Sequence, residues 1–421
     1  MDQGNTAFML IAAALVLLMT PGLAFFYGGL VKAKSVISMM MLSFGALGLI
    51  GVLWVVYGYA IAFPSADGLV APWAIDWSAI GLTSLLEVPE GASYPPLAFV
   101  AFQATFAILT VALVSGAIAD RAKFGSWMIF AAIWATIVYF PVASWVFNFG
   151  LAEDGSFAYG GWITYGMQEW FGVGAIDFAG GTAVHINAGA AALALALVLG
   201  KRVGFQKGAH VPHNPPFVLL GAGLLWFGWF GFNAGSELAA DGTAALAFVN
   251  TIAAPAAALL AWLVVEKVRD GKPTSVGAAS GAVAGLVAIT PASGFVTAGG
   301  AVVIGLVAGG LCYSATLLRE RIKVDDALDV FAVHGVGGTF GAIATGIFAT
   351  TAINFGSGLI DGNPSQVVTQ MLAVGASIAY AVVATFVIVK VTDLVLGIRV
   401  KRDVEEVGLD LAVHGEVAYQ P

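Results

Sequence analysis

Eleven apolar runs divide the chain, at approximately 7–31, 36–62, 97–119, 124–147, 176–199, 216–236, 244–265, 276–290, 297–318, 329–350 and 367–396. A membrane-crossing helix needs about 20 mainly apolar residues, so the pattern predicts an all-α polytopic membrane protein of eleven transmembrane helices. The composition agrees. Of 421 residues, 59% are hydrophobic and 10% charged, with mean hydropathy +0.92, whereas soluble domains carry about 25% charged residues. The first run has no basic segment before it, and Lys32 and Lys34 follow it. It is therefore read as the first span and not as a signal peptide.

The polar positions fix an expected orientation. All 17 Lys and Arg fall in six groups: Lys32 and Lys34; Arg121 and Lys123; Lys201, Arg202 and Lys207; Lys267, Arg269 and Lys272; Arg319, Arg321 and Lys323; and Lys390, Arg399, Lys401 and Arg402. These groups follow spans 1, 3, 5, 7, 9 and 11. The alternate connections carry only acids, among them Asp67, Glu87, Glu90, Glu153, Asp154, Glu169, Glu237, Asp241 and Asp361. The bias of cations to the cytoplasmic side then predicts a multi-pass protein of the cell's inner (plasma) membrane, N-terminus outside and C-terminus cytoplasmic.

The connections give the domain plan. Pro64, Pro72, Pro89, Pro95 and Pro96 mark 63–96 as loop, and 148–175, rich in Gly and aromatics, is expected to cap the outer mouth. Residues 1–396 read as one membrane domain and 397–421 as a cytoplasmic tail too short to fold alone. The 54 glycines suit close helix packing in lipid. Cys312 is the single cysteine, so no disulfide can form within the chain.

Two histidines stand within the apolar runs at matched positions. Asp177-Phe-Ala-Gly-Gly-Thr-Ala-Val-His185 and Asp326-Ala-Leu-Asp-Val-Phe-Ala-Val-His334 share an eight-residue step and the ending Ala-Val-His. If each aspartate opens a helix, its histidine lies about 12 Å along it, near the middle of a hydrocarbon core about 30 Å thick. Span 5 and span 10 would run in opposite directions. The match therefore predicts an inverted repeat, spans 1–5 against 6–10 with span 11 added, and such folds place their site at the midplane.

Intramembrane ionisable groups are costly and point to function. His185 and His334 facing each other would share one proton and line an apolar path without fixed charge. The same residues also read as two separate core histidines, each bonded to a neighbouring helix. Asp177 and Asp326 read as helix caps; Asp177, before Gly180, Gly181 and Thr182, would also favour a cation near the outer entrance. Phe26, Tyr27, Phe102, Phe106, Trp145 and Phe147 lie near span ends or pore-facing breaks; Trp and Tyr at span ends are usually interfacial anchors. The run Trp226-Phe-Gly-Trp229-Phe-Gly-Phe232-Asn-Ala-Gly-Ser236 instead alternates rings with glycines and ends on a hydroxyl, a surface suited to a small cation. Trp229 and Asp326 are further pore candidates.

Other chemistry has little support. His210 and His213 are an isolated pair in a connection, so no metal or other cofactor site is expected. There is no Walker loop and no nucleophile with an attached base. Neither an enzyme nor a nucleic-acid partner is expected.

The chain resembles the ammonium transporter family, the Amt branch of the Amt/Mep/Rh proteins, of bacterial or archaeal type. Four segments carry the resemblance: Thr20-Pro-Gly-Leu-Ala-Phe-Phe-Tyr-Gly-Gly29, Asp177 through Gly189, Phe230-Gly-Phe-Asn-Ala-Gly-Ser236 and Asp329 through Gly338. It implies a homotrimer in the lipid bilayer with ammonium or ammonia passing through each subunit. It further implies an outer gate of Phe106 and Phe232, a proton-relaying twin-histidine pore of His185 and His334, and recruitment by Ser236 and Phe147 with Asp177 behind. Position 147 is often Trp in the family, and position 144, here Ser, is often His. The segment Gly408-Leu-Asp-Leu-Ala-Val-His414-Gly-Glu-Val-Ala-Tyr419 resembles the family's regulatory tail, which implies response to a PII signal protein. The alternatives are an ammonium sensor signalling through its tail and a passive Rhesus-type gas channel. Family sensors usually carry a fused cytoplasmic output domain, which is not expected here, and the recruitment residues with the Amt-like tail argue against the second.

Overall fold

The computed structural model describes residues 1–152, 155–208 and 211–419. Glu153, Asp154 and His210 lie outside the described residues. Ten helices among those described are long and apolar enough to cross a membrane. They are α1 (Gln3–Leu30), α2 (Val36–Ala62), α3 (Pro96–Ile118), α4 (Phe124–Phe147), α5 (Gly181–Leu199), α6 (Pro215–Glu237), α7 (Gly242–Asp270), α9 (Ala298–Arg319), α10 (Phe331–Phe348) and α11 (Pro364–Leu396). Between α7 and α9 lies α8 (Ser275–Ile289), equally apolar but shorter. The chain is thus a predominantly helical, multi-pass membrane protein, with each helix close to an apolar run of the sequence.

Outward-facing side chains on the helices include large aliphatics such as Leu10, Val52, Leu260 and Val383. Where helix backbones approach most closely, small residues sit at the contact, because close van der Waals approach drives packing where lipid is as apolar as the protein. A methyl group on Gly221 of α6 would lie 2.2 Å from the backbone nitrogen of Phe26 in α1. The buried amides of Gln366 and Gln370 in α11 are spent on backbone. Gln370 accepts from the N–H of Ile176 at 2.7 Å and donates to the carbonyls of Ile176 and Ala342 at 2.7 and 2.9 Å.

The connections join into two faces. On the acid-bearing face, the Asp2 N–H donates to the Ser93 carbonyl and the Ala240 N–H to Asn5. The segment expected to be loop at 148–175 includes a short antiparallel hairpin, β1 (Phe149–Leu151) and β2 (Phe157–Gly160). This corrects the purely helical expectation locally.

The Lys/Arg-bearing face is tied by buried charge. Asp325 accepts from Arg121 at 3.2 Å and from Arg202 at 2.8 Å, and Arg202 also pairs with Asp120 at 3.2 Å. The segment after α11 joins this face. Arg399 pairs with Glu405, which takes the Val203 N–H, and Asp410 takes the Ser38 N–H at 2.8 Å. His213 contacts the Tyr419 hydroxyl at 2.9 Å.

Candidate functional site

Helices α5 and α10 meet with almost no space between their backbones. A methyl group on Gly189 would lie 2.2 Å from the Gly335 nitrogen. This contact brings the two histidine-bearing turns together, and His185 Nδ1 lies 3.2 Å from His334 Nδ1. The rings are 5.2 Å apart at 32°, with His185 wholly buried and His334 4% exposed. The structure thus favours the facing pair over two separate core histidines.

Both helices begin in the same unusual way. Gly181–Ile186 and Phe331–Val336 are π-helical turns, each carrying its histidine, before ordinary α-helix follows. Such wide turns are rare and concentrate at functional sites. The aspartates act as the sequence implied. Asp177 Oδ1 accepts from Gly180 and Gly181, and Oδ2 from Thr182 and Ala183, at 2.6–3.1 Å. Asp326 Oδ2 accepts from the Phe331 N–H at 2.7 Å. Four orphan N–H groups at the start of α5 are satisfied by one carboxylate.

On one side of the histidines the path is aromatic. The His185 ring lies against Trp229, 5.3 Å away at 27°, and Phe232, 5.8 Å away at 20°. Trp229 is held by its indole N–H donating to Thr290 at 2.9 Å. Phe232 and Phe106 stack at 4.2 Å and 26°, closing the way beyond. Phe147 meets Phe106 edge-on at 6.2 Å. Past this stack, toward the acid-bearing face, a cavity of about 190 Å³ is lined by Asp177, Phe178, Ser236, Glu237, Phe295 and Asn354, among others. Ser236 Oγ donates to the Phe232 carbonyl at 2.8 Å.

On the other side, toward the Lys/Arg-bearing face, His334 itself lines a second cavity of about 230 Å³ with Tyr27, Trp262, Glu266, Ser280 and Asp329. The histidine pair therefore separates two cavities. The Nε2 of His185 is buried without a hydrogen-bond partner.

The residues expected to form the site are largely brought together: Phe106, Phe232, Trp229, His185 and His334 form one contiguous path. Ser236 and Asp177 border its mouth. Asp326 serves as a cap and is not part of the second cavity's lining.

A family model described as Ammonium Transporter Family matches residues 7–419. The chain belongs to the ammonium transporter family. An ammonium transporter of Mycobacterium bovis is 49% identical, covering 99% of this chain and 90% of its own. The Bacillus subtilis ammonium transporter is 45% identical, over 100% and 99%. Ammonium transporter Amt1 of Archaeoglobus fulgidus is 44% identical over the whole of both chains. The solved structure of Mep2 from Saccharomyces cerevisiae superposes with a TM-score of 0.83 at 34% identity, covering 96% of this chain and 91% of that one.

Three parts of this ammonium transporter family member depend on contacts that the sequence does not display. Tyr27 donates to the Leu113 carbonyl at 3.0 Å within the second cavity's wall, a role its place near a span end does not specify. Gln366 and Gln370 fix the start of the segment leading to Asp177, and two amides four apart in an apolar helix were the signal for them. The buried cluster of Arg121, Arg202 and Asp325 was legible only as positive charge.

Proposed function

We propose that this chain is an ammonium transporter that recruits the cation at an aromatic outer mouth, removes its proton and passes ammonia through the histidine-lined interior. The acid-bearing face is outside and the Lys/Arg-bearing face cytoplasmic, in the cell's inner membrane, as the distribution of cations supports. The α8 helix completes eleven spans. The matched caps and π-turns of α5 and α10 support an inverted 5+5 repeat with α11 added. By resemblance, the protein works as a homotrimer, and residues 397–421 answer a PII signal protein at the cytoplasmic face. Its work is transport and not catalysis of a chemical conversion.

The physics suits the substrate. Ammonium and potassium ions are alike in charge and similar in size, so a rigid cage separates them poorly. Ammonium can release a proton and potassium cannot. Ser236 and the Asp177-capped turn gather the cation with Phe147 backing the Phe106 ring, the Phe106–Phe232 stack admits it, and the apolar interior penalises whatever stays charged.

The observation that carries this reading is the 3.2 Å contact between His185 Nδ1 and His334 Nδ1, set between two cavities. One nitrogen of that contact donates and the other accepts. When His185 donates, its Nε2 is bare and takes a proton from the outer side. The proton between the rings then shifts to His334, whose Nε2–H is released into the inner cavity. One proton enters, one leaves and both tautomers are exchanged. Ammonia follows the same polar lining without charge.

Transient current from proteoliposomes given an ammonium pulse, with potassium as control, tests this. Current with ammonium alone supports joint passage of ammonia and a proton. No current together with a rise in internal pH would reduce the histidines to a polar lining for neutral ammonia. A potassium current of equal size would overturn the reading.

A further inference from the structure

We propose that Glu237 is the anionic partner of the incoming cation at the outer mouth and sets the affinity for ammonium. This rests on the transport reading above and assigns a residue to its first step.

Ammonium presents four N–H donors, so its site needs acceptors that are not already in use. Four such groups in the outer cavity are largely committed. Both Asp177 oxygens already take two backbone N–H groups each. The Asn354 carbonyl oxygen accepts from the Phe355 N–H, and its amide donates to Gly294. The Thr164 hydroxyl donates to Gly161 and the Ser236 hydroxyl to Phe232. Ser236 keeps lone pairs on a neutral oxygen.

Glu237, next in the chain, is different. It is partly exposed and lines the same cavity. None of the described backbone N–H groups donates to its carboxylate, whereas Asp177, Asp326 and Glu266 each receive at least one. Its polar neighbour is Asp241, an acid that shares a hydrogen bond with it and itself caps α7 through the Ala244 N–H. Two acids side by side repel when both are charged, and an arriving cation relieves that repulsion.

The backbone fixes Glu237 in place. Helix α6 ends in the tight turn Gly235–Glu237, and Leu238 follows in the left-handed region at φ 61°, its N–H donating to Gly235. A non-glycine residue in that conformation is uncommon. The turn is thereby stopped with residue 237 at the cavity wall.

The aromatic side of the mouth explains why a charge is useful. Phe147 packs against Phe106 and is not among the described residues lining this cavity. The rings that do line it, Phe149, Phe157, Phe178, Phe295 and Phe355, are all phenylalanine, and Trp is the better cation partner. A carboxylate close to a bound cation strengthens attraction where the rings are weak.

The test is the dependence of current on ammonium concentration for wild type, Glu237→Gln and Glu237→Asp in proteoliposomes. Glutamine keeps the shape and loses the charge. Half-saturation by ammonium should rise about tenfold in E237Q, the effect of a modest charge interaction, with maximal current changed less than about twofold. E237D should stay within about threefold of wild type. Added N-methylglucamine chloride should raise half-saturation in wild type more than in E237Q, because screening acts only where the charge remains. Superimposable wild-type and E237Q curves, or an equal loss in E237D and E237Q, would overturn the proposal. Absence of any ammonium-specific current in wild type would instead overturn the transport reading itself.

Discussion

His185 and His334 face each other Nδ1 to Nδ1 at 3.2 Å, while the other ring nitrogen of His185 is buried without a partner. The arrangement has a directional consequence. Replacing His185 with Leu removes the unmet Nε2 and leaves His334 Nδ1 without its partner. Ammonium current is expected to fall more than tenfold in H185L, with loss of the preference for ammonium over potassium. His334→Leu should have the same effect, because either change interrupts the exchange of tautomers. Current and selectivity unchanged in both variants would remove the relay from the mechanism.

Asp177 gives all of its hydrogen-bonding capacity to the start of α5. An Asp177→Asn side chain keeps one acceptor oxygen and points an N–H₂ donor at the N–H groups formerly bound by the other. Up to two buried N–H groups lose their partner, at about 1–3 kcal/mol each, and the favourable charge at the helix N-terminus is lost as well. D177N is expected to lower the thermal unfolding midpoint in detergent by several degrees and to reduce transport through displacement of His185. An unchanged midpoint with altered ammonium affinity would mean that Asp177 acts on the cation and not on the helix.

The sequence carried the spans and the central pair for a simple physical reason. Apolarity delimits these helices, so 276–290 reads almost as α8 is found, Ser275–Ile289. Charge in such a segment is costly, which made His185 and His334 conspicuous. What could not be read was geometry that depends on partners distant in sequence. The π-turns at Gly181–Ile186 and Phe331–Val336 follow from how α5 and α10 pack, and no local pattern announces them. The hairpin at Phe149–Leu151 and Phe157–Gly160 lay in a segment whose glycines suggested loop. Arg121 and Arg202 bear on orientation, and nothing local pairs them with Asp325, more than a hundred residues away.

Gly189 tests whether the close approach of α5 and α10 is what makes the pair. Its added methyl would meet the Gly335 backbone, which cannot rotate away. Overpacking of this kind costs about 1–3 kcal/mol and is relieved only by moving the helices apart. Gly189→Ala should therefore weaken the contact between His185 and His334 and cut ammonium current by more than tenfold, while folded protein is still recovered. Gly189→Ala with wild-type current and selectivity would show that the pore tolerates a wider separation.

Asp325 provides the pH prediction. Burial alone would push its carboxyl up. Hydrogen bonds and charge from Arg202, with the charge of Arg121, outweigh that and hold it below the usual carboxylate range. A carboxyl depressed by folding stabilises the fold above its unfolded value, about 3.9, and the contribution disappears as pH falls through the folded value. The network's stabilisation should thus be constant from about pH 7 to pH 5 and decline only below about pH 4. Asp325→Asn removes the acid from two buried arginines, a loss of about 3–5 kcal/mol for a broken buried pair. Thermal unfolding followed by tryptophan fluorescence should show D325N well below wild type at pH 7, with the gap narrowing as wild type is acidified past pH 4. A gap that stays constant down to about pH 3 would mean the destabilisation comes from lost packing, since only the charge contribution can titrate away.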